Sequence, residues 1–128
     1  MSRTTIKNRK VKILAETGNL TIRHEDSTLY FTVLGDIDHH GAKELRQSMD
    51  SALFFYRPSI CVINLARVEF MDSSGLGLIL GRQSGAEEIG AELILEDPSD
   101  TVKKILGLAG IERLIKIRYG GSNEKVRK

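Results

Sequence analysis

Four short apolar runs alternate with stretches of helical periodicity, and this alternation restricts the fold more than any other feature of the sequence. The run at residues 59–65 is almost continuously apolar, which is typical of a strand in a sheet that is covered on both faces. A chain that alternates strands and helices packs its helices against a largely parallel sheet. The sequence therefore predicts an α/β fold, with strands at Leu29–Leu34, Ser59–Leu65, Ala91–Glu96 and Leu114–Tyr119.

Two long helices are predicted between the first three runs. Asp38 is the predicted N-cap of the first helix, and Pro58 ends it. Spacings of three and four place one apolar stripe on this helix, formed by Ala42, Leu45, Met49, Ala52, Leu53 and Tyr56. The second helix runs from about Ser74 to Ile89, and its predicted core residues are Leu76, Ile79, Leu80, Ala86 and Ile89.

Further elements complete the predicted sheet at its two ends. A weaker strand at Asn19–Arg23 precedes the first apolar run and pairs with it as a hairpin. Before the last strand, a short helix begins after a cap at Ser99 or Asp100. The predicted order is β-β-α-β-α-β-α-β, which gives a mixed, mostly parallel sheet with helices packed against it in a single domain.

The basic residues are concentrated at the two ends of the chain, which has 128 residues and a net charge of +2. Residues 1–12 hold five cations and no acid, and residues 122–128 carry a net +2, which leaves −5 on residues 13–121. We expect a basic N-terminal extension at 1–18, a folded domain at 19–119 and a polar C-terminal tail at 120–128. A basic end is able to contact nucleic acid or anionic lipid, but a solvated tail is the favoured interpretation, so neither is a predicted partner. The acidic body favours a protein partner with a basic patch.

Composition excludes several classes of protein. No apolar run approaches the roughly 18 residues of a membrane-spanning helix, and no apolar segment follows the basic N-terminus as a secretory signal requires. The single cysteine, Cys61, allows neither an internal disulfide nor a cysteine-based zinc site, and its apolar neighbours predict a buried thiol. We therefore expect a cytoplasmic protein.

The segment Phe70–Gly77 (FMDSSGLG) is unusual because it places polar residues between a buried strand and a glycine-rich helix. In α/β sheets, functional groups lie at such carboxyl edges of strands. Asp72 or Ser73 is predicted to cap the helix. A phosphate on Ser73 would meet the positive end of the helix dipole, and its charge of about −2 beside Asp72 would repel a docked partner. A plain helix cap without further function is the alternative.

A second polar segment, Asp36–His40 (DIDHH), follows the preceding strand and is expected to share the same edge of the sheet. It is a candidate binding rim or a candidate metal site. Adjacent histidines such as His39 and His40 point about 100° apart on a helix, which suits joint ligation poorly. Nothing in the sequence places His24, the only other histidine, near them. We therefore predict no metal and no cofactor.

The glycines of the second helix allow two interpretations. Gly75, Gly77 and Gly81 follow a strand, and Glu96 comes about 20 residues later, which is superficially similar to a dinucleotide-binding fingerprint. Polar residues intrude where the first glycine should follow the strand, so a small nucleotide-binding protein is only the alternative hypothesis. Gly77, Gly81 and Gly85 also recur every four residues, and each costs about 1 kcal/mol of helix propensity. Their recurrence indicates close approach to a sheet or a partner.

Several of these segments resemble a known protein family. The resemblance rests on Gly35–His40 (GDIDHH), Asn64-Leu65, Phe70–Gly77 (FMDSSGLG) and Ile79–Arg82 (ILGR), and it extends from about residue 19 to 119. The family is that of the anti-sigma factor antagonists, which are single STAS domains, and the DHH segment is similar to its sporulation branch. A STAS module of another bacterial stress pathway is the alternative within this family.

The resemblance implies a binding switch and not an enzyme. In this family the unphosphorylated protein binds an anti-sigma factor, itself an ATP-dependent serine kinase, and thereby releases the sigma factor for transcription. The kinase then phosphorylates the first serine of the D-S-S-G segment, here Ser73, which ends binding, and a PP2C-type phosphatase removes the phosphate. By resemblance, the partner-binding residues are Asp36, Asp38, His39, His40, Asp72, Ser74, Gly75 and Gly77.

Overall fold

The computed structural model, which describes residues 12–17 and 19–120, has a six-stranded sheet at its centre. Its strands are β1 (Lys12–Thr17), β2 (Leu20–Glu25), β3 (Thr28–Leu34), β4 (Ile60–Arg67), β5 (Glu92–Glu96) and β6 (Lys116–Arg118), in that spatial order. Strands β1 to β3 pair antiparallel, and β3 to β6 pair parallel. The predicted α/β class and the mixed, mostly parallel sheet are confirmed.

The parallel strands are connected by the helices α1 (His39–Tyr56), α2 (Ser73–Glu88) and α3 (Asp100–Leu108), and a short 3₁₀ turn precedes β6. Each connection runs to the next strand in the same direction, so right-handed crossovers place all three helices on one face of the sheet. Their buried residues form a hydrophobic cluster with alternate strand residues such as Phe31, Ile63 and Leu95. Cys61 is buried in this cluster, as predicted. None of these helices is long and apolar enough to cross a membrane.

The predicted core face is confirmed for α1 and partly wrong for α2. The residues of the α1 stripe are all buried or packed against the core. On α2, however, Leu80 is 40% exposed, whereas Leu78 is buried. The buried face of α2 includes Gly75 and Arg82, which hydropathy does not assign to a core. The buried face of α2 therefore differs in part from the one that its apolar residues alone predict.

Strand β1 corrects the prediction that the sheet begins at Asn19 and that residues 1–18 are an extension. Residues 12–17 pair with β2, and the register shifts between Ile13 and Ala15. An edge strand with such an irregularity does not keep the apolar alternation from which strands are predicted, so the sequence pattern misses it. The remaining residues of the predicted extension, 1–11 and 18, and residues 121–128 of the predicted tail lie outside the described residues.

The loops after β3 and β4 lie side by side at the carboxyl edge of the sheet. Gly35 has a φ of 96°, a left-handed conformation that favours glycine, and its N–H donates to the carbonyl oxygen of Arg67 at 3.2 Å. Beyond the strands, Ile37 and Met71 form an isolated parallel bridge and bury their side chains. The structure thus brings the Asp36–His40 segment and the serine-containing segment to one edge, as predicted.

Candidate functional site

Asp36 joins the two polar segments at this edge. Its Oδ1 accepts hydrogen bonds from the backbone N–H groups of Glu69 and Phe70, both at 3.1 Å. Those N–H groups belong to the loop between β4 and α2, whereas Asp36 belongs to the loop after β3. The carboxylate therefore holds the neighbouring loop in position, a task that the sequence does not reveal.

Both helices at this edge begin with an aspartate cap. Asp38 Oδ1 accepts the N–H of Gly41 at 2.8 Å, which confirms the predicted N-cap of α1. Asp72 Oδ1 accepts the N–H of Ser74 at 2.8 Å, so Asp72 is the cap of α2. The hydroxyl of Ser73 is thereby left without a capping role.

The two serines at the start of α2 have different surroundings. Ser73 is the first residue of the helix and is exposed, and its hydroxyl takes part in none of the hydrogen bonds among the described residues. Ser74 is half-buried, and its Oγ lies 3.4 Å from Nδ1 of His39. Consecutive helical residues point about 100° apart, so the two hydroxyls face different directions. Of the two residues, Ser73 is the more exposed.

The two glycines of this turn also differ. Gly75 is buried, and a Cβ atom added to it would lie 2.7 Å from the Cβ of Met71. Glycine is therefore needed here for the close packing of the helix start against its own loop. Gly77 is exposed, and an added Cβ would meet nothing within 4 Å. It contributes a low surface beside the serine turn and is not required for internal packing.

The three histidines do not converge. His39 contacts Ser74, whereas the His40 side chain is exposed and its Nε2 lies 4.0 Å from Glu44 Oε2. His24 packs against Tyr56 at the far end of α1, with ring centroids 4.8 Å apart. Among the described residues, no group of three or more His, Cys, Asp or Glu side chains is arranged to hold a metal ion.

Glu96, the acid of the dinucleotide-like pattern, is engaged in a different contact. Its carboxylate accepts a hydrogen bond from Asn64 Nδ2 at 2.9 Å and pairs with Arg118, whose Nη2 lies 2.9 Å from Oε2. The three residues are direct neighbours on β4, β5 and β6. Since Leu95 faces the helices, strand alternation puts Glu96 on the opposite face of the sheet. This geometry does not favour the nucleotide-binding interpretation.

A groove beside the serine turn contains residues that the sequence analysis does not assign to the site. This upper groove lies between the first turns of α1 and α2 and has a volume of about 350 Å³. Lys43 and Arg46 line it together with His39 and Ser74. The two cations follow His39 by four and seven residues, and this helical spacing is the signal that places them on one face. The groove beside the serine turn is thus lined by two cations, although residues 13–121 are acidic overall.

Comparison with known proteins shows the family of this domain. The STAS domain family profile matches residues 19–120. The anti-sigma F factor antagonist of Lysinibacillus sphaericus is 34% identical over 84 residues, which cover 66% of this chain and 72% of the relative. That of Paenibacillus polymyxa is 32% identical over 98 residues, 77% and 84% of the two chains. The anti-sigma-B factor antagonist of Listeria monocytogenes is 28% identical over 87 residues, 67% and 75% of the two chains.

Two similar solved structures are those of SpoIIAA, described as an anti-sigma factor antagonist and as a Bacillus cell fate determinant. The unphosphorylated form superposes with a TM-score of 0.64 at 29% identity, covering 84% of this chain and 86% of SpoIIAA. The phosphorylated form gives a TM-score of 0.59 at 28% identity, covering 84% and 89%. SpoIIAA itself thus has a phosphorylated and an unphosphorylated form.

Proposed function

The chain belongs to the STAS domain family, and we propose that it is an anti-sigma factor antagonist that is switched by phosphorylation of Ser73. In this proposal the unphosphorylated protein binds an anti-sigma factor serine kinase in the cytoplasm, and the sigma factor is released. The chain itself acts as a binding protein and not as an enzyme. A PP2C-type phosphatase restores the free hydroxyl.

The observation that carries the proposal is the exposed hydroxyl of Ser73 at the start of α2. The loop before Ser73 is bonded by Asp36 to the loop that precedes α1. A kinase needs an accessible hydroxyl on a turn that it can enter from outside. Asp36, Asp38, His39 and His40 flank that turn, which supports their assignment as contacts of the partner. Similarity to SpoIIAA, which has a phosphorylated form, supports the same modification here.

Phosphorylation at this position is expected to act through charge and bulk. The phosphate adds about −2 at the N-terminus of α2, where the helix dipole tolerates an anion, so the fold of the domain itself is retained. The same charge lies beside the carboxylate of Asp72, the preceding residue, which is exposed. A partner surface complementary to the free hydroxyl would then face a bulky anion and dissociate.

The modification is tested with the anti-sigma factor kinase encoded in the same genome as this chain. The chain is incubated with that kinase and ATP, and the modified residue is identified by mass spectrometry. We expect one phosphate per chain, on Ser73. Phosphate on another residue, or none, would refute the switch.

Binding is tested with two substitutions of the same serine. Ser73→Ala is expected to bind the kinase as wild type does, and Ser73→Asp is expected to bind at least tenfold more weakly because it adds a negative charge at the turn. Ser27→Asp is the matched control, since Ser27 is an exposed serine in the hairpin turn before β3, at the opposite edge of the sheet. Equal affinities of the two Ser73 variants would contradict a switch by charge.

The sporulation sigma factor is the proposed target, and another stress pathway is the alternative. The anti-sigma F factor antagonists are 34% and 32% identical to this chain, and the anti-sigma-B factor antagonist is 28% identical. A competition experiment with both classes of anti-sigma factor from the same organism separates the two. Preference for the anti-sigma-B class would overturn the sporulation assignment while leaving the switch intact.

A further inference from the structure

A second groove continues the first one along the seam between α1 and α2. This lower groove also has a volume of about 350 Å³, and Gly81, Gly85 and Arg82 line it on the α2 side. Asp50 and Phe54 line it on the α1 side, and Phe54 is 70% exposed. Together the upper and lower grooves extend from the serine turn toward the opposite end of both helices.

The floor of this seam is kept low by three glycines that the packing of the domain does not require. Cβ atoms added at Gly77 and Gly81 would meet nothing within 4 Å, and one at Gly85 would only reach Leu53 Cδ1 at 4.0 Å. Glycine weakens a helix interior relative to alanine. The interpretation that these glycines allow close approach to the sheet is therefore wrong. The other interpretation, close approach by a partner, stays a prediction.

A buried arginine forms part of the wall of the lower groove. Arg82 is only 5% exposed, its Nε lies 2.9 Å from Asp50 Oδ1, and its Nη2 donates to Oδ2 at 3.3 Å. Its Nε and Nη1 atoms are buried, and neither makes a hydrogen bond of good geometry among the described residues. Burial lowers the pKa of Arg82, whereas the Asp50 carboxylate raises it. Asp50 and Arg82 thus join α1 to α2 beside the lower groove and fix its shape.

The charged side chains of the upper groove favour an acidic occupant. Lys43 and Arg46 line the upper groove, whereas in the lower groove Asp50 is paired with Arg82 and Glu88 lies at the far end. We propose that the seam between α1 and α2 is the docking site for an acidic segment of the anti-sigma factor, with its carboxylates against Lys43 and Arg46. This inference rests on the proposed function and adds to it the surface and the chemistry that the partner must present.

The position of the cations also explains how phosphorylation would release such a segment. Ser74, the neighbour of Ser73, lines the upper groove together with Lys43 and Arg46. A phosphate on Ser73, at the turn beside this groove, would therefore repel the carboxylates of the docked segment. Release then follows from local charge, without a change of fold.

The test uses two pairs of matched variants of the full chain, with affinity for the genome's own anti-sigma factor measured by calorimetry. Gly81→Gln places a side chain in the groove, and Gly107→Gln makes the same change on α3, where an added Cβ would only reach Glu112 at 3.8 Å. Lys43→Glu reverses a groove charge, and Lys104→Glu makes the same net change on the exposed side of α3. We expect Gly81→Gln and Lys43→Glu to weaken binding at least tenfold, and the two α3 variants to bind like wild type.

Stability and self-association are measured on the same samples. Glutamine is the better helix former, so Gly81→Gln should melt at least as high as wild type, which separates a filled groove from a misfolded domain. If wild type binds the anti-sigma factor and the groove variants bind it equally well, the docking site is wrong but the proposed function stands. Wild type that does not bind would overturn the proposed function with it. If the wild type instead dimerises and Gly81→Gln is monomeric, a second copy occupies the seam and the proposal is wrong.

Discussion

Three aspartates at the carboxyl edge of the sheet bond backbone N–H groups. Asp36 accepts two N–H groups of the neighbouring loop, and Asp38 and Asp72 each accept one at a helix start. All three are exposed, so they shape the loops and still present negative charge to a partner. At the scale of the residue, each of these carboxylates therefore stabilises a loop or a helix start and is also exposed to a partner.

Two glycines of the serine turn should respond oppositely to the same substitution. Gly75→Ala is expected to lower the free energy of unfolding by about 1–3 kcal/mol, because its methyl group would overlap Met71 at 2.7 Å. Gly77→Ala is expected to raise the free energy of unfolding by about 0.5–1 kcal/mol, because alanine loses less conformational freedom than glycine in a helix and its methyl group would meet nothing within 4 Å. Urea denaturation measures both. Equal effects of the two substitutions would show that Met71 moves aside.

The thiol of Cys61 should make stability depend on alkaline pH. Burial raises the pKa of Cys61 from its ordinary value of 9.0 to about 12, so the folded protein keeps the proton that the unfolded chain loses. This contribution is complete below pH 9 and is lost between pH 9 and 12, at about 1.4 kcal/mol per pH unit. Urea denaturation at pH 8 and 10 should show a steeper loss for wild type than for Cys61→Ala. The same loss in both proteins would contradict a protonated buried thiol.

At the scale of the element, the sequence shows where α2 begins but shows only in part which of its side chains face the core. Its regular glycines and its capped start are visible in the sequence, but its orientation is not. Ile79 and Ala86 are buried as predicted, but Leu80 is exposed, whereas Leu78 and Arg82 are buried. Arg82 pairs with Asp50, which lies 32 positions earlier in the chain. The start of the helix and part of its buried face could therefore be predicted, whereas the inward position of Arg82 depends on a tertiary contact.

The last three strands are linked on the face opposite the helices by a contact between the buried Glu96 and the half-exposed Arg118. Arg118→Met is expected to lower the free energy of unfolding by about 1–3 kcal/mol, because Glu96 would keep only its hydrogen bond from Asn64. Adding Glu96→Gln to that variant should recover part of the loss, since a neutral amide is less costly to bury than a carboxylate. Urea denaturation of both variants measures this. A double variant less stable than Arg118→Met would contradict the explanation.

At the scale of the whole molecule, net charge and local charge differ. Residues 13–121 carry −5, yet the groove beside Ser73 is lined by Lys43 and Arg46. A partner that approaches the folded domain from a distance meets an acidic body, and a segment that enters the groove meets cations. The expectation of a basic patch on the partner follows from the charge of residues 13–121 alone. The proposed acidic segment follows from the groove.

Truncation should show that the folded unit begins before residue 19. A chain that starts at Asn19 lacks β1, and the antiparallel pairing with β2 is lost. Compared with a chain that starts at Lys12, it is expected to be less stable by about 1–3 kcal/mol, since several backbone hydrogen bonds of about 0.5–1.5 kcal/mol are removed. It should also associate more readily through the exposed edge of β2, which sedimentation would detect. Equal stability of the two chains would mean that β1 contributes nothing to the domain.

The order of strands and helices from β2 onward, the cap at Asp38 and the buried position of Cys61 could be derived from the sequence, because each depends on neighbours within a few residues or on a regular period. That the two polar loops lie side by side could also be expected, because the carboxyl ends of parallel strands meet at one edge of the sheet. Only the tertiary structure decided that Asp36 would hold the loop before α2, that Glu96 would pair with Arg118, and that Lys43, Arg46 and Gly77 would share a groove. These contacts join residues more than 20 positions apart, and their formation depends on the packing angles of helices and sheet, which no local pattern encodes.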